Sequence, residues 1–202
     1  MSDSTCANAL LLGCGILQRE VCTLVAKNNW PVDVSFLDSS LHIDLDKLAT
    51  ALTKALEHHS NRELIVFYGC CHPLMENMLD GRNAVQTDGQ NCVEMLLGSE
   101  VFACELQNGA FFLLEEWAAS WEDKLRTVFG DNIAVMREMI HGERKYLLAI
   151  RTPCSADFTS LAERAAALVD LPLRWIDVSL EHLESVLERA VMRRLGRMPC
   201  PR

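Results

Sequence analysis

The sequence lacks any apolar run near the roughly 20 residues that a membrane-spanning helix needs. Its first stretch, MSDSTCANALLLGCG, carries neither a basic n-region nor a cleavable apolar segment. Both absences point to a cytoplasmic protein with no membrane partner. Positive charge is scarce: 19 Lys and Arg stand against 28 Asp and Glu, a formal net charge of −9. Such a surface repels phosphate backbones, which argues against nucleic acid as a partner. No glycine-rich loop ends in Lys-Ser or Lys-Thr, and Gly13-Cys14-Gly15 is too short for a dinucleotide fingerprint, so a nucleotide cofactor is unsupported. There is no Pro/Gly/Ser-rich linker and no internal repeat. What is present is a chain of 202 residues, 50% hydrophobic and 23% charged, enough for one substantial core and unlike a disordered sequence.

Nine cysteines are the main chemical feature. The odd number and the absence of an export signal argue against a disulfide framework and for thiols, metal ligands or nucleophiles in a reducing compartment. A free cysteine commonly packs as a small hydrophobe, so most of the nine are read as packing residues. Only those outside the apolar rhythm carry a chemical argument.

The rhythm predicts alternating strands and helices. Ala9–Leu12 reads as a buried strand leading into a turn, Leu17–Lys27 as a helix and Val32–Leu37 as a half-buried strand. From Asp44 an amphipathic helix carries Leu45, Leu48, Leu52 and Leu56, and Leu64–Phe67 is a further strand. Cys70–Asn91 reads as loops around a helical turn at Leu74–Leu79 and a short strand at Ala84–Gln86. Asn91 resembles an N-cap for a helix over Cys92–Leu97 that Gly98 stops. Beyond it come a strand at Ala110–Leu114, a helix at Ala118–Phe129, and a second α/β run from Ile133 to a final helix at His182–Leu195. Its Arg193 and Arg194, with Arg197, read as a solvated basic helix end, and the tail Gly196–Arg202 as frayed. Helices between buried strands imply an α/β fold with a mainly parallel sheet and helices on both faces, divided into two α/β lobes, 1–130 with the Cys/His motifs and 131–202.

Three cysteines stand at element ends: Cys14 after the first strand, Cys71 after the third, and Cys92 at a helix start. Parallel strands end on one edge, where ligands bind, so these thiols are expected to converge there. Such convergence suits a soft or borderline metal ion, Zn or Fe, or an iron–sulfur cluster, with His42 or His72 as a nitrogen ligand, Cys70 in reserve, and Glu20 and Asp88 orienting the set. Spacing alone does not specify this, because there is no C-x-x-C pair and the spacings of 57 and 21 residues match no standard zinc or ferredoxin pattern. The competing chemical reading is a metal-free thiol enzyme. In it Cys92 or Cys71 is the nucleophile, the Cys92 pKa is lowered by its helix start, and His72 or His42 acts as base. Bland readings suffice elsewhere. His58-His59 caps a helix, Trp117 and Trp121 are core, and Glu115-Glu116 at a strand end point to opposite faces.

At these same cysteines the chain resembles the domain-of-unknown-function family 1638 of bacteria and archaea. The resemblance rests on CGILQRE at Cys14–Glu20, Leu41-His42, YGCCH at Tyr68–His72, NCVEMLLGS at Asn91–Ser99 and NGAFFLLEEW ending at Trp117. It runs from about Leu11 to Glu122 and more weakly to about Glu188. It implies a shared site at Cys14, Glu20, His42, Tyr68, Gly69, Cys71, Cys92 and Gly98. Within it, Cys14, His42, Cys71 and Cys92 are metal ligands, while Glu20, Tyr68 and Gly69 are cofactor-binding. The sequence departs from the family pattern at His72 (usually Gly), at Asn91 (usually Asp) and, upstream of it, at Thr87-Asp88 (usually a basic residue). Members resembling it are often encoded beside corrinoid-dependent methyl-transfer systems. That implies a metal-binding role in one-carbon or metal-cofactor metabolism, with a corrinoid protein or methyltransferase as partner, or a non-catalytic accessory role to a methyltransferase.

Overall fold

The computed structural model describes residues 9–196. The described residues form two units, 9–95 with 183–196, and Leu96–His182. In the first unit the opening apolar run becomes β1 (Ala9–Cys14), with all six residues buried. A 3-10 turn (Gly15–Leu17) leads into α1 (Gln18–Lys27), and β2 (Val32–Leu37) follows. A second 3-10 turn (Ser39–Ile43) precedes α2 (Leu45–His58), whose first turn is capped by the Asp44 carboxylate accepting the Lys47 N–H. Leu48, Leu52 and Leu56 of α2 are buried on one stripe, as their spacing requires, while Leu45 is exposed. β3 (Leu64–Phe67), α3 (Met75–Leu79), β4 (Ala84–Gln86) and the start of α4 (Cys92–Leu97) complete the run.

The four strands lie in the order β2-β1-β3-β4 and every pair is parallel. β1 and β3, fully buried, hold the centre, and β2, with mixed exposure, is an edge. All four therefore end on the same edge of the sheet.

The second unit holds α5 (Ser99–Gln107), β5 (Ala110–Leu113), α6 (Glu115–Ala118), α7 (Trp121–Phe129) and α8 (Ile133–His141). β6 (Tyr146–Arg151), α9 (Thr159–Val169) and β7 (Leu173–Asp177) follow. Its parallel sheet has the order β5-β6-β7. Its core gathers Leu113, Trp121, Met136, Ile140, Leu147 and Phe158. α10 (Glu181–Leu195) then returns to the first unit. There Glu184 accepts from Lys27 Nζ at 2.8 Å and Asn28 Nδ2 at 2.7 Å, and Arg193 donates to the Gln86 carbonyl at 2.9 Å.

The α/β class with parallel sheets in two units stands, and several details change. The division falls at Met95–Leu96 and again at His182–Leu183 rather than at residue 130, because β5 pairs with β6 and not with the first sheet. The helix expected over Ala118–Phe129 is two helices broken at Ala119-Ser120, and Glu115-Glu116 open the first of them instead of ending a strand. α5 is an additional element. Arg194 is not a solvated end: its side chain is 13% exposed and pairs with Glu63 at 3.1 Å and Asn83 at 2.5 Å. Arg197 and the rest of the tail expected to fray lie outside the described residues beyond Gly196. Among the described residues, no helix is long and apolar enough to cross a membrane.

Candidate functional site

The first sheet's carboxyl edge is built by three connections. β1 ends in Cys14, paired in register with Leu37 of β2. β3 runs out at Phe67 into Tyr68-Gly69-Cys70-Cys71. The chain returns through Gln90-Asn91 to Cys92 at the first residue of α4, and this return is pinned against the end of β3. The Cys70 N–H donates to the Gln90 carbonyl at 2.7 Å. Gly69 approaches so closely that a Cβ there would lie 2.2 Å from the Gln90 carbonyl oxygen. Gln86 Nε2 donates to the Tyr68 and Gly69 carbonyls at 2.9 and 3.1 Å, tying the end of β4 to the same bend. The start of α4 is fixed by two side chains that satisfy two backbone donors, a relative of the capping box in which the acidic side chain reaches the residue before the cap. Asn91 Oδ1 accepts the Glu94 N–H at 3.0 Å, and the Glu94 carboxylate accepts the Gln90 N–H at 2.5 Å.

These connections bring Cys14, Cys71 and Cys92 together, with Tyr68 among them. Cys14 and Cys92 are buried, and Cys71 is half-buried. Contact between the Cys14 and Cys92 side chains, then burial and the nearby Cys14 and Cys71, holds the Cys92 thiol well above its ordinary pKa. Burial pushes the Cys71 thiol up, reinforced by Cys14 and Cys70 and opposed by a hydrogen bond from the Gly69 backbone. Burial also raises the Tyr68 phenol, with further contributions from Cys14, Cys92 and Cys71. The Tyr68 side chain is 1% exposed, and its hydroxyl has no hydrogen-bond partner among the described residues.

The lowered Cys92 pKa that its helix start suggests is thus reversed: contact with Cys14 and burial outweigh the six-residue helix. Asp88 is engaged elsewhere, paired with Arg189 at 3.3 Å and Arg193 at 3.1 Å on α10. Glu20 is buried in the first turn of α1, and His42 lies in the turn after β2, both just past strand ends at this edge.

The two histidines are held differently. His42 Nδ1 faces the Ser39 carbonyl, which can only accept, so Nδ1 carries the proton and the ring's acceptor lone pair belongs to Nε2. His72 Nδ1 accepts the Leu74 N–H at 3.0 Å, the reverse arrangement. Cys70 is exposed. Among the described residues, no group of three or more His, Cys, Asp or Glu side chains is placed so that it could hold a metal ion. The surroundings of Cys71 and Cys92 favour the thiol over the thiolate. Sequence reasoning missed Gln86 and the Glu94 carboxylate that accepts the Gln90 N–H; N-x-x-E at Asn91–Glu94 was the available signal.

A family model described as "Protein of unknown function (DUF1638)" matches residues 36–187, three quarters of the chain. The match includes His42, Tyr68, Gly69, Cys71, Cys92 and Gly98, and begins after Cys14 and Glu20. No curated protein and no solved structure matches the chain.

Proposed function

We propose that the chain, which belongs to the DUF1638 family, binds a thiophilic metal ion through Cys14, Cys71 and Cys92. The observation that carries this reading is the meeting of three thiols, from three separate stretches of chain, around one buried phenol. Sulfur donors select soft and borderline ions such as zinc or iron over magnesium or calcium. The donor set therefore suits such an ion, or an iron–sulfur centre that draws a further ligand from elsewhere. Loading exchanges the thiol protons for the ion, so the site closes only when the metal arrives. His42, with its lone pair on Nε2, is the nitrogen ligand in reserve; His72 and Cys70 rank behind it.

A bound ion of this kind supplies Lewis acidity to a ligand beside it. The chain's own part is to hold three sulfurs at one sheet edge on short, pinned connections. A place in one-carbon or metal-cofactor metabolism, with a corrinoid protein or methyltransferase as partner and in the reducing cytoplasm, is part of the same proposal and rests on the family resemblance. The metal-free thiol enzyme needs a thiolate at neutral pH, and the surroundings of Cys92 and Cys71 push both thiols the other way.

The test is anaerobic titration of the full chain with cobalt(II) as a probe for zinc, read by thiolate-to-cobalt charge-transfer absorption. Saturable uptake is expected, weakened at least ~100-fold in Cys71→Ser and Cys92→Ser, the range seen on losing a metal ligand's support or the ligand itself, and unchanged in Cys104→Ser. Absence of uptake, or uptake indifferent to the three cysteines, would overturn the reading.

A further inference from the structure

We propose that Cys14 and Cys92 are a redox-active pair that closes to an intramolecular disulfide on reaction with a small peroxide. No metal ion takes part. The fold brings the two together in three steps. β1 lies beside β3 with Gly13 opposite Phe67, so the next residue of each, Cys14 and Tyr68, emerge from the sheet side by side. Gly69 then sits so close to the Gln90 carbonyl and the Asn91 nitrogen that no side chain fits between them, which lays the return of the chain along the end of β3. Cys92 follows as the first residue of α4, and its side chain is in hydrogen-bond contact with that of Cys14. Both cysteines are free and buried, with 6% and 7% of their surface exposed.

A disulfide asks for two sulfurs, and two are what this edge holds in contact. The approach left to make is from side-chain contact to the ~2.0 Å of an S–S bond, and the pinned connections already supply both partners. Burial selects the oxidant, because a peroxide is hardly larger than water. One sulfur, as thiolate, attacks a peroxide oxygen. The O–O bond breaks, the sulfur becomes a sulfenic acid, and the released oxygen takes the thiol proton and leaves as water. The second sulfur then attacks the first, the S–O bond breaks, and that oxygen leaves as a second water carrying the second thiol's proton. The two sulfurs give up two electrons and the peroxide takes them. The contact with Cys14 and the burial that hold the Cys92 thiol high make the thiolate scarce, so the pair answers slowly, as a switch set by sustained oxidant rather than as a turnover catalyst. The closed bond ties the end of β1 to the start of α4.

The experiment treats the reduced full chain, freed of metal by a chelator, with excess hydrogen peroxide over a time course. Remaining thiols are blocked in urea with an alkylating reagent, and linked peptides are mapped by mass spectrometry. In wild type a peptide joining Cys14 to Cys92 is expected to build up in the majority of molecules. Dithiothreitol added in urea before blocking is expected to abolish it and to return both cysteines to the alkylated pool, which separates a disulfide from irreversible sulfinic or sulfonic acids. Cys71→Ser is expected to form the same link, and Cys14→Ser and Cys92→Ser to form none. The wild-type map does not depend on any variant folding. Cys14 and Cys92 still alkylated after the exposed Cys70 and Cys104 have been oxidised, a link that runs through Cys71 instead, or oxidation of the pair that dithiothreitol does not reverse would each overturn the proposal.

Discussion

The two units lay helices on short parallel sheets, yet the carboxyl edges of those sheets end in opposite chemical states. In the second unit several polar groups just past β5 and β6 close on one another, although Trp121 Nε1 is buried without a hydrogen-bond partner among the described residues. Glu115 accepts the Ala156 N–H at 2.9 Å, the Thr152 N–H donates to Ser155 Oγ at 3.0 Å, and the Thr152 hydroxyl accepts the Cys154 N–H at 3.1 Å. Arg151 lies 4.0 Å over the Trp175 ring and 3.6 Å from Asp177. In the first unit the strands run out into three neighbouring thiols and a phenol whose hydroxyl has no partner among the described residues. Parallel topology supplies an edge in both cases. What differs is whether the connecting loops bring matched donors and acceptors, which finish the edge, or soft donors and a lone hydroxyl, which leave it chemically unfinished.

The contrast is most severely tested at Gly69. A Cβ there would fall 2.2 Å from the Gln90 carbonyl oxygen and 2.7 Å from the Asn91 nitrogen, so backbone must move, and it is the backbone that delivers Cys92. Gly69→Ala is expected to cost about 3 kcal/mol in urea unfolding, the upper range for overpacking, and to abolish cobalt uptake. Gly109, in the second unit, has φ +89, and a Cβ there would first meet the flexible Lys145 side chain at 2.9 Å. Gly109→Ala is expected to cost about 1–2 kcal/mol through its backbone conformation with cobalt uptake intact. Equal costs, or cobalt uptake surviving in Gly69→Ala, would break the comparison.

Local pattern made much of the fold legible. The bounds of β2, β3, β4 and α4 follow from apolar runs and from the Asn91 and Gly98 signals on either side of α4. The assignment of β5 was not legible, because an apolar strand does not declare its partner, and pairing with β6 is a long-range choice. α5 escaped because Phe102 is its only buried side chain, so it shows no stripe. At the site, parallel topology was enough to foresee the meeting of Cys14, Cys71 and Cys92. The direction of the Cys92 pKa was not foreseeable, since it depends on contact with a residue 78 positions away (92 minus 14). Nor does any sequence pattern reveal that the Tyr68 hydroxyl lacks a partner.

The chain has two tyrosines, one in each unit, and they repeat the contrast at smaller scale. The Tyr146 hydroxyl donates to Glu105 Oε2 at 2.5 Å, and burial, then that hydrogen bond and the Glu105 charge, push its pKa up to about 12. Tyr146→Phe is expected to cost about 1–2 kcal/mol at neutral pH, where Tyr68→Phe costs nothing in the metal-free protein. The pH dependence has a definite sign. A phenol whose folded pKa lies above its unfolded value near 10 contributes fully below pH ~10 and loses that contribution as pH rises toward 12. Wild type is therefore expected to lose about 2 kcal/mol more than Tyr146→Phe between those limits, measured by urea unfolding across the range. Parallel curves for the two proteins would show that the Glu105 contact is not felt in solution.

The smallest expected effect separates stability from site-building. Asn91 caps α4 through the Glu94 N–H at 3.0 Å, and Asn132 caps α8 through the Ala134 and Val135 N–H groups at 3.2 and 3.3 Å. Replacing either with alanine leaves a helix start uncapped, at a cost of about 1 kcal/mol each. Stability alone thus cannot distinguish them. Cobalt affinity can, because the turn that Asn91 fixes begins with Cys92, whereas the turn that Asn132 fixes carries none of the three thiols. Asn91→Ala is expected to weaken cobalt binding several-fold, by about the factor that 1 kcal/mol represents, and Asn132→Ala to leave it unchanged. If both variants lose stability and neither loses cobalt, the pinning at Gly69 and Gln90 alone places Cys92. The site's preorganisation would then lie in the end of β3 rather than in the start of α4.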